Sequence, residues 1–365
     1  MFYLVLENVT KAFKKTKVIG DASLTLERGE SVVIVGPSGA GKTVLLRLIA
    51  GIYPIDSGDI RIDGRSVAGL PPEARGVGMA FQNFALYPHL SARENIASPL
   101  RARGLGDAEV RKRVGDVAEL LKIAHVLEHE PRRLSNGQKQ RTALARALVS
   151  GASLQMLDDP LRNVDAKLRY EMRFELPRLL KTFGASVLYV TQDYREAMAF
   201  GDRIAVLADG RFVQVDRPAA IYGAPATVEI ARLFGDPTIN TYHTRPRVNG
   251  HGTVIDLLGS SIALAGPIAT APPGECVVAI RPEHVEVHLE PAPGRIPMEL
   301  DTVTPLNFRA AMLLRSKGGE ELLATTDENA AARLPRRRGI VHVAVDPKHL
   351  LLFDAASRIR LDTER

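Results

Sequence analysis

The stretch Gly36-Pro-Ser-Gly-Ala-Gly-Lys42-Thr43 constrains this chain more than any other segment. It follows the β-branched run Ser31-Val-Val-Ile-Val35 and precedes an apolar helical stretch near 42–50. It therefore reads as a tight turn leading from a buried strand into a helix. The spacing Gly-x4-Gly-Lys-Thr lets backbone N–H groups of a glycine loop converge on phosphate oxygens, and the helix start adds partial positive charge. On this reading Gly36, Ser38, Gly39 and Gly41 shape the cradle. Lys42 reaches the β- and γ-phosphates, and the Thr43 hydroxyl ligates Mg2+.

The surrounding pattern suits such a loop. Val77–Phe81, Leu154–Leu157 and Val187–Thr191 are short apolar runs alternating with helical stretches. That alternation predicts an α/β P-loop NTPase domain with a parallel sheet. Asp209-Gly210, set between Leu207-Ala and Arg-Phe-Val-Gln, predicts a hairpin turn. The segment from about 84 to 155, most clearly 101–155, is charged and helix-favouring and predicts a helical subdomain. Pro177 lies inside the helical pattern 166–183 and is expected to kink that helix or start a new one. Past Phe234-Gly-Asp-Pro237 helical periodicity fades, and short runs recur between Pro/Gly turns: 253–258, 276–280, 310–314 and 340–345. The expected organisation is a nucleotide-binding domain over 1–235 and an all-β domain, most simply a small barrel or sandwich, over 236–365. A length of 365 residues accommodates two domains, and 45% hydrophobic with 25% charged residues supports buried cores.

Other features narrow the class. No apolar run approaches the ~18 residues a membrane-spanning helix needs, and the start, Phe2-Tyr-Leu-Val-Leu-Glu-Asn-Val-Thr10, reads as a strand. The single cysteine, Cys276, excludes an internal disulfide framework and fits a reducing compartment. The net charge of +6 is mild, and the clusters Arg111-Lys-Arg113 and Arg336-Arg-Arg338 read as solvated faces, so nucleic acid is not an expected partner. Asp158 closes the apolar run 154–157, and in a P-loop protein that carboxylate holds Mg2+.

Leu134-Ser135-Asn136-Gly137-Gln138 opens a helix that continues to Leu148. Together with the phosphate loop, Gln82 and Asp158, in this order, it resembles ABC-type ATPase domains. That resemblance implies two such domains sandwiching two ATP molecules, each site combining one chain's phosphate loop with the other's signature. Ser135, Gly137 and Gln138 are then expected to cap a γ-phosphate held by the partner, which fits the anion preference of helix starts. By the same resemblance Phe13 stacks on adenine, and Gln82 reads Mg2+ and relays to the membrane subunit. Asn163-Val-Asp165 crosses to the partner. The tail landmarks Gly235–Asn240, Ile280-Arg-Pro-Glu-His-Val285 and Asp346-Pro-Lys-His-Leu-Leu-Leu-Phe353 are similar to the TOBE/OB-type domain of sugar-importer (maltose/glycerol-3-phosphate-type) ATPases. The resemblance implies ATP and Mg2+, two transmembrane permease subunits, a second ATPase subunit, and indirectly a periplasmic solute-binding protein. It also implies a peripheral place on the cytoplasmic face of the inner membrane. The solute is a carbohydrate or related polyol or phosphodiester compound.

The chain departs from that family at four positions. The catalytic carboxylate is Asp159 where Glu is usual, the switch residue is Gln192 where His is usual, Val44 replaces a hydroxyl residue, and Arg162 replaces a small polar one. A carboxylate withdrawn by one methylene loses contact with the attacking water, and a ~1 Å misplacement costs ~100-fold. Gln192 donates a hydrogen bond but carries no charge. The expectation is a half-site that binds ATP and hydrolyses it slowly, with a different, active ATPase subunit favoured over a second copy as partner. The alternative is a regulatory subunit that binds ATP with little hydrolysis. A soluble ABC protein acting on DNA or ribosomes is disfavoured by the β-rich tail.

Overall fold

Strand and helix order in the first part of the chain follows from where apolar residues can be hidden. The structure, a computed structural model, describes residues 2–81, 83–182, 184–249, 252–264, 274–306, 308–334 and 339–361. Two compact units divide at Pro218/Ala219: Met1–Pro218 and Ala219–Arg365. The 236 boundary expected from composition lies within the second of these, after two short helices, Pro218–Gly223 and Val228–Leu233. Gln82 and Arg336–Arg338 lie outside the described residues.

In the first unit β1 (Phe2–Phe13) and β2 (Thr16–Glu27) pair antiparallel. Strand β3 (Ser31–Val35) is buried at every position and leads through the glycine loop into α1 (Lys42–Ile49). Strands β4 (Ser57–Ile62) and β5 (Arg65–Ser66) complete a four-stranded sheet of order β2-β1-β4-β5. After β6 (Val77–Ala80) come three helices: α2 (Ala92–Ala102), α3 (Asp107–Leu120) and α4 (Asn136–Val149). They form the expected helical segment, with Val110, Val114, Val117 and Ala118 buried along one face of α3. Strand β7 (Leu154–Asp158), helix α5 (Ala166–Thr182), strand β8 (Ser186–Val190) and helix α6 (Tyr194–Phe200) follow. The hairpin β9 (Arg203–Ala208) and β10 (Arg211–Asp216) turns on Asp209 and Gly210, both with positive φ, as the Asp-Gly pair predicts. The second sheet has order β10-β9-β3-β8-β7-β6, and all its pairs except β9–β10 are parallel.

Pro177 starts no new helix: α5 is one helix from Ala166 to Thr182. Leu168, Met172, Leu176 and Leu180 recur every four residues and are buried, so one continuous apolar face holds the segment together across the missing N–H.

The four-stranded sheet was not legible beyond its first strand. It matters, because α1 packs between it and the parallel sheet. Leu45, Leu46, Leu48 and Ile49 are fully buried in one core with Leu4, Leu6, Leu24 and Leu26 on one side and Ile34, Met156, Leu188 and Leu207 on the other. Each such side chain contributes about 1.5–3 kcal/mol of burial. Arg75 fastens the far end of α1. Its Nη1 donates to Leu48 O (2.9 Å) and Ile49 O (3.0 Å), and its Nε to Leu70 O (2.9 Å). It is 5% exposed.

The second unit is all-β apart from short helices, as expected. Its sheets join Asn240–Thr244, Cys276–Ile280 and Leu351–Asp354; Arg247–Asn249, Gly252–Leu257 and Ser260–Ala263; and, in spatial order, Val285–His288, Gly339–Val345, Ile296–Leu306, Arg309–Arg315 and Glu321–Asp327. Every pairing is antiparallel, and one core built from all three sheets includes Ile255, Val278, Met298, Leu314 and Val341. Cys276 is buried there, and burial pushes its thiol up to about 11, which keeps it unreactive.

Arg75→Met keeps the apolar stem and deletes the bonds to the end of α1. It should destabilise the N-terminal unit by about 2–4 kcal/mol in chemical denaturation, because several buried carbonyls lose a charged donor. A change below about 0.5 kcal/mol would contradict this role of Arg75.

Candidate functional site

The parallel register sets the carboxyl ends of β3, β8 and β7 side by side, Asp158 opposite Val190. In open α/β sheets that edge is where ligands bind. The loop after β3, the acidic pair after β7 and the turn after β8 all reach it. They line a cleft of about 270 Å³ whose walls include Ser38, Gly39, Gly41, Lys42, Thr43, Asp158, Asp159, Arg162 and Gln192.

The loop needs its glycines for space as well as for backbone freedom. A Cβ on Gly41, where φ is +98°, would lie 2.7 Å from Ile19 Cδ1 and 2.9 Å from Val18 O. One on Gly36 would lie 2.0 Å from Leu207 O. No side chain caps α1 at Gly41, so its first-turn N–H groups are left for an anion. Lys42, 7% exposed, donates to Gly36 O (2.7 Å) and Pro37 O (2.8 Å). Burial lowers the pKa of its ammonium, while Asp159 and Asp158 oppose that shift. Thr43 Oγ1 donates to Asp158 Oδ1 at 3.2 Å, joining the loop to the end of β7.

Asp159 adopts a left-handed backbone, φ +49°. Asp enters that region more readily than most residues. Its N–H donates to Val190 O (2.8 Å), and its carbonyl accepts from Gln140 Nε2 (2.9 Å). Gln140 Oε1 in turn accepts from Asn163 N at 3.2 Å, so one buried amide on α4 holds both Asp159 and the start of the crossing loop. The Asp159 carboxylate lies 3.8 Å from Arg162 Nη1. Gln192 sits across the cleft, its Oε1 3.4 Å from Ser38 Oγ. The turn carrying Gln192 is anchored by Glu196, whose Oε2 accepts from Tyr189 Oη and Thr191 Oγ1, both at 2.8 Å.

The remaining predicted residues are placed elsewhere. Ser135 is the N-cap of α4: its Oγ accepts from Gln138 N (3.2 Å), and Gln138 Oε1 accepts from Ser135 N (2.9 Å). Ser135 is exposed, Gly137 and Gln138 half-buried, and none lines the cleft. Phe13, at the end of β1, is 39% exposed and makes an edge contact with Tyr53 at 5.3 Å; it too lies outside the cleft lining. Gln82 is outside the described residues. Sequence reasoning missed Gln140 and Glu196. The available signal was a polar residue set on an otherwise apolar buried helix face, as for Gln140 beside Ala143 and Leu144.

Both cleft carboxylates are pushed above the usual carboxylate range, burial being the largest cause. For Asp159, Arg162 opposes the shift and Asp158 reinforces it. A folded pKa above the unfolded value of about 3.9 means the folded chain binds more protons in the window between them, so stability falls as pH rises through it. Asp159→Asn removes that cost. Its melting temperature should exceed the wild type's at pH 7, and the gap should close as pH drops below about 4. Calorimetry showing no gain at pH 7, or a gap that widens in acid, would overturn this.

With that geometry in place, comparison with known proteins is informative. The ABC transporter family matches residues 19–162, and the TOBE domain family matches residues 278–353. The chain is 38% identical over 361 residues to the sn-glycerol-3-phosphate import ATP-binding protein of Cereibacter sphaeroides, covering 99% of this chain and 100% of that one. The protein of the same name from Escherichia coli O6:H1 is 40% identical over 360 residues, covering 98% and 99%. A solved ATP-binding cassette, a dimer in a post-hydrolysis state bound to ADP and Pi, matches 59% of this chain and 98% of its own. It is 31% identical, with a TM-score of 0.56. The chain belongs to the ATP-binding subunits of ABC transporters of the sugar-importer type, an ABC ATPase domain followed by a TOBE domain.

Proposed function

We propose that this chain drives uptake of a glycerol-phosphate-like polyol, carbohydrate or phosphodiester solute, and that its own ATP half-site is slow. The names of its relatives support the cargo class. The observation that carries the half-site reading is the cleft itself, where an intact phosphate loop meets Asp159 and Gln192. On this reading the chain works beneath two permease subunits on the cytoplasmic face of the membrane. Among the described residues, no helix is long and apolar enough to cross the membrane itself.

The residues present suit Mg2+. The Thr43 hydroxyl and Asp158 carboxylate lie 3.2 Å apart, and among the described residues no cluster of three or more His, Cys, Asp or Glu side chains is present. That donor set matches an ion completed by substrate phosphates and water rather than a protein cage. Thr43 and Asp158 would hold the ion, which would supply charge neutralisation at the β- and γ-phosphates. Lys42 and the uncapped start of α1 bind the same phosphates, and Asp159 is the residue left to orient water.

Asp159 is poorly equipped for that task. Its backbone is held at both N–H and C=O, so the carboxylate cannot advance by shifting the main chain. Its charge is partly engaged by Arg162. Losing a positioned base costs ~10²–10⁴-fold. In the signature Ser135–Gln138, Ser135 and Asn136 are exposed on a well-capped helix start, which supports a role toward a partner's ATP. We therefore favour pairing with a different ATPase subunit that carries Glu and His at the equivalent places.

Phosphate release by the purified chain tests this. The wild type alone should turn over slowly, and Asp159→Glu with Gln192→His should raise the rate by about 10²-fold or more while ATP affinity stays within a few-fold. Brisk wild-type turnover would overturn the slow half-site. Absence of phosphate release from the double variant when assembled with permeases would favour a purely regulatory role.

A further inference from the structure

Two segments singled out by the sequence, Ile280–Val285 and Asp346–Phe353, take no part in nucleotide chemistry. Each contains a Pro-x-His step, Pro282-Glu283-His284 and Pro347-Lys348-His349, folded as a 3-10 turn. The two turns bring their histidines together: the rings stack 3.9 Å apart at 25°. Two imidazoles in such contact resist joint protonation unless negative charge is supplied nearby.

The stacked pair borders a cavity of about 590 Å³, within the size range of small-ligand sites. Its polar lining is Tyr222, Arg281, His284, Lys348, His349 and Arg360, the remainder being mainly Leu and Pro; no carboxylate lines it. Arg281 is 2% exposed, donates to Phe234 O (2.5 Å) and Tyr222 O (2.6 Å), and lies 3.5 Å from the Tyr222 ring centroid. It has carbonyl and ring partners and no ion pair among the described residues. Two carboxylates lie nearby outside the lining, and the charge of Glu283 acts on both Arg281 and His284. Glu283 accepts from Tyr222 Oη, and Asp346 Oδ1 caps the turn through Lys348 N at 3.0 Å. Asp346 is also 3.9 Å from Lys348 Nζ. His284 Nδ1 is buried and has no hydrogen-bond partner. A buried nitrogen left unpaired costs about 1–3 kcal/mol and calls for an explanation.

This wall of three cations and two imidazoles, with Lys348 and His349 exposed, carries more positive charge than the nearby Glu283 and Asp346 offset. A compact oxyanion completes it, with acceptor oxygens for Lys348, His349 and Arg360 and charge to offset Arg281. The leucine walls leave room for an organic stem. We propose that this cavity in the β-rich unit binds a small phosphate-type oxyanion, inorganic phosphate or a phosphomonoester. The site is independent of the nucleotide cleft and of the transport reading above.

The test uses the full-length chain and its imidazole resonances, those of His284 and His349 being assigned by single His→Gln variants. Inorganic phosphate and glycerol 3-phosphate are titrated separately at constant ionic strength held with chloride. Both assigned signals should shift saturably with at least one probe. The tighter probe identifies the free ion or the ester as the ligand, and no response to either overturns the proposal. His349→Ala with Arg360→Ala, made at surface-accessible positions, should weaken that binding at least about tenfold while the thermal transition is retained. Unchanged affinity overturns it. Lys42→Ala should leave the shifts intact; their loss would mean that the phosphate loop, and not this cavity, was being read. An equal response to added chloride would likewise overturn a specific oxyanion site.

Discussion

Helix α1 is buried on both sides, and the rest of the N-terminal unit is arranged around that fact. Its four leucine and isoleucine side chains meet the antiparallel sheet on one face and the parallel sheet on the other. A helix so clamped cannot slide or tilt without opening two interfaces, which holds its uncapped N-terminus at the carboxyl edge of β3, β8 and β7. Arg75 fixes the opposite end by capping the last carbonyls. The phosphate loop inherits its position from this clamp. Gly41 passes so close to Ile19 and Val18 that the β1–β2 hairpin forms part of the floor of the loop. Removing the antiparallel sheet would therefore cost the site its shape as well as the unit its core.

The electrostatics of the cleft follow from the same burial. Lys42 is driven toward its neutral form by desolvation and held charged by two carboxylates, which are themselves driven toward protonation. Each group is tolerable because the others are present. On the function proposed above, nucleotide phosphates would offset Lys42 and a divalent cation would offset Asp158. Lys42 donates to the loop carbonyls of Gly36 and Pro37, which fixes its ammonium at the mouth of the glycine turn.

The parts of the fold legible in sequence were those whose residues are buried on both faces. Ser31–Val35, Leu154–Asp158 and Ser186–Val190 are buried throughout, and they read as uninterrupted apolar runs. The four-stranded antiparallel sheet was obscure for the opposite reason. β1 and β2 carry several register shifts, and β4 opens with Ser-Gly-Asp, so period-two alternation is broken where pairing occurs. The Asp209-Gly210 turn was legible because its chemistry is local. Pro177 starts no new helix because the burial of one helix face outweighs a single missing hydrogen bond. Among site residues, motif spacing located Lys42, Thr43, Asp158, Asp159 and Gln192. Gln140 and Glu196 act through contacts 19 and 5 residues away in sequence, Gln140 holding a backbone that no local pattern encodes.

The left-handed conformation of Asp159 links the departures from the family pattern to one another. The backbone there is held by Val190 O on one side and Gln140 Nε2 on the other, so side-chain reach is decided by the number of methylenes alone. Asp accepts this conformation at low cost, and its short carboxylate stays within 3.8 Å of Arg162. Across the cleft a neutral Gln192 contacts Ser38. The cation that a histidine would contribute at 192 is replaced by one at 162, placed beside the carboxylate instead of beside the phosphate loop. On the slow half-site proposed above, this arrangement is the one expected to hold nucleotide rather than cleave it.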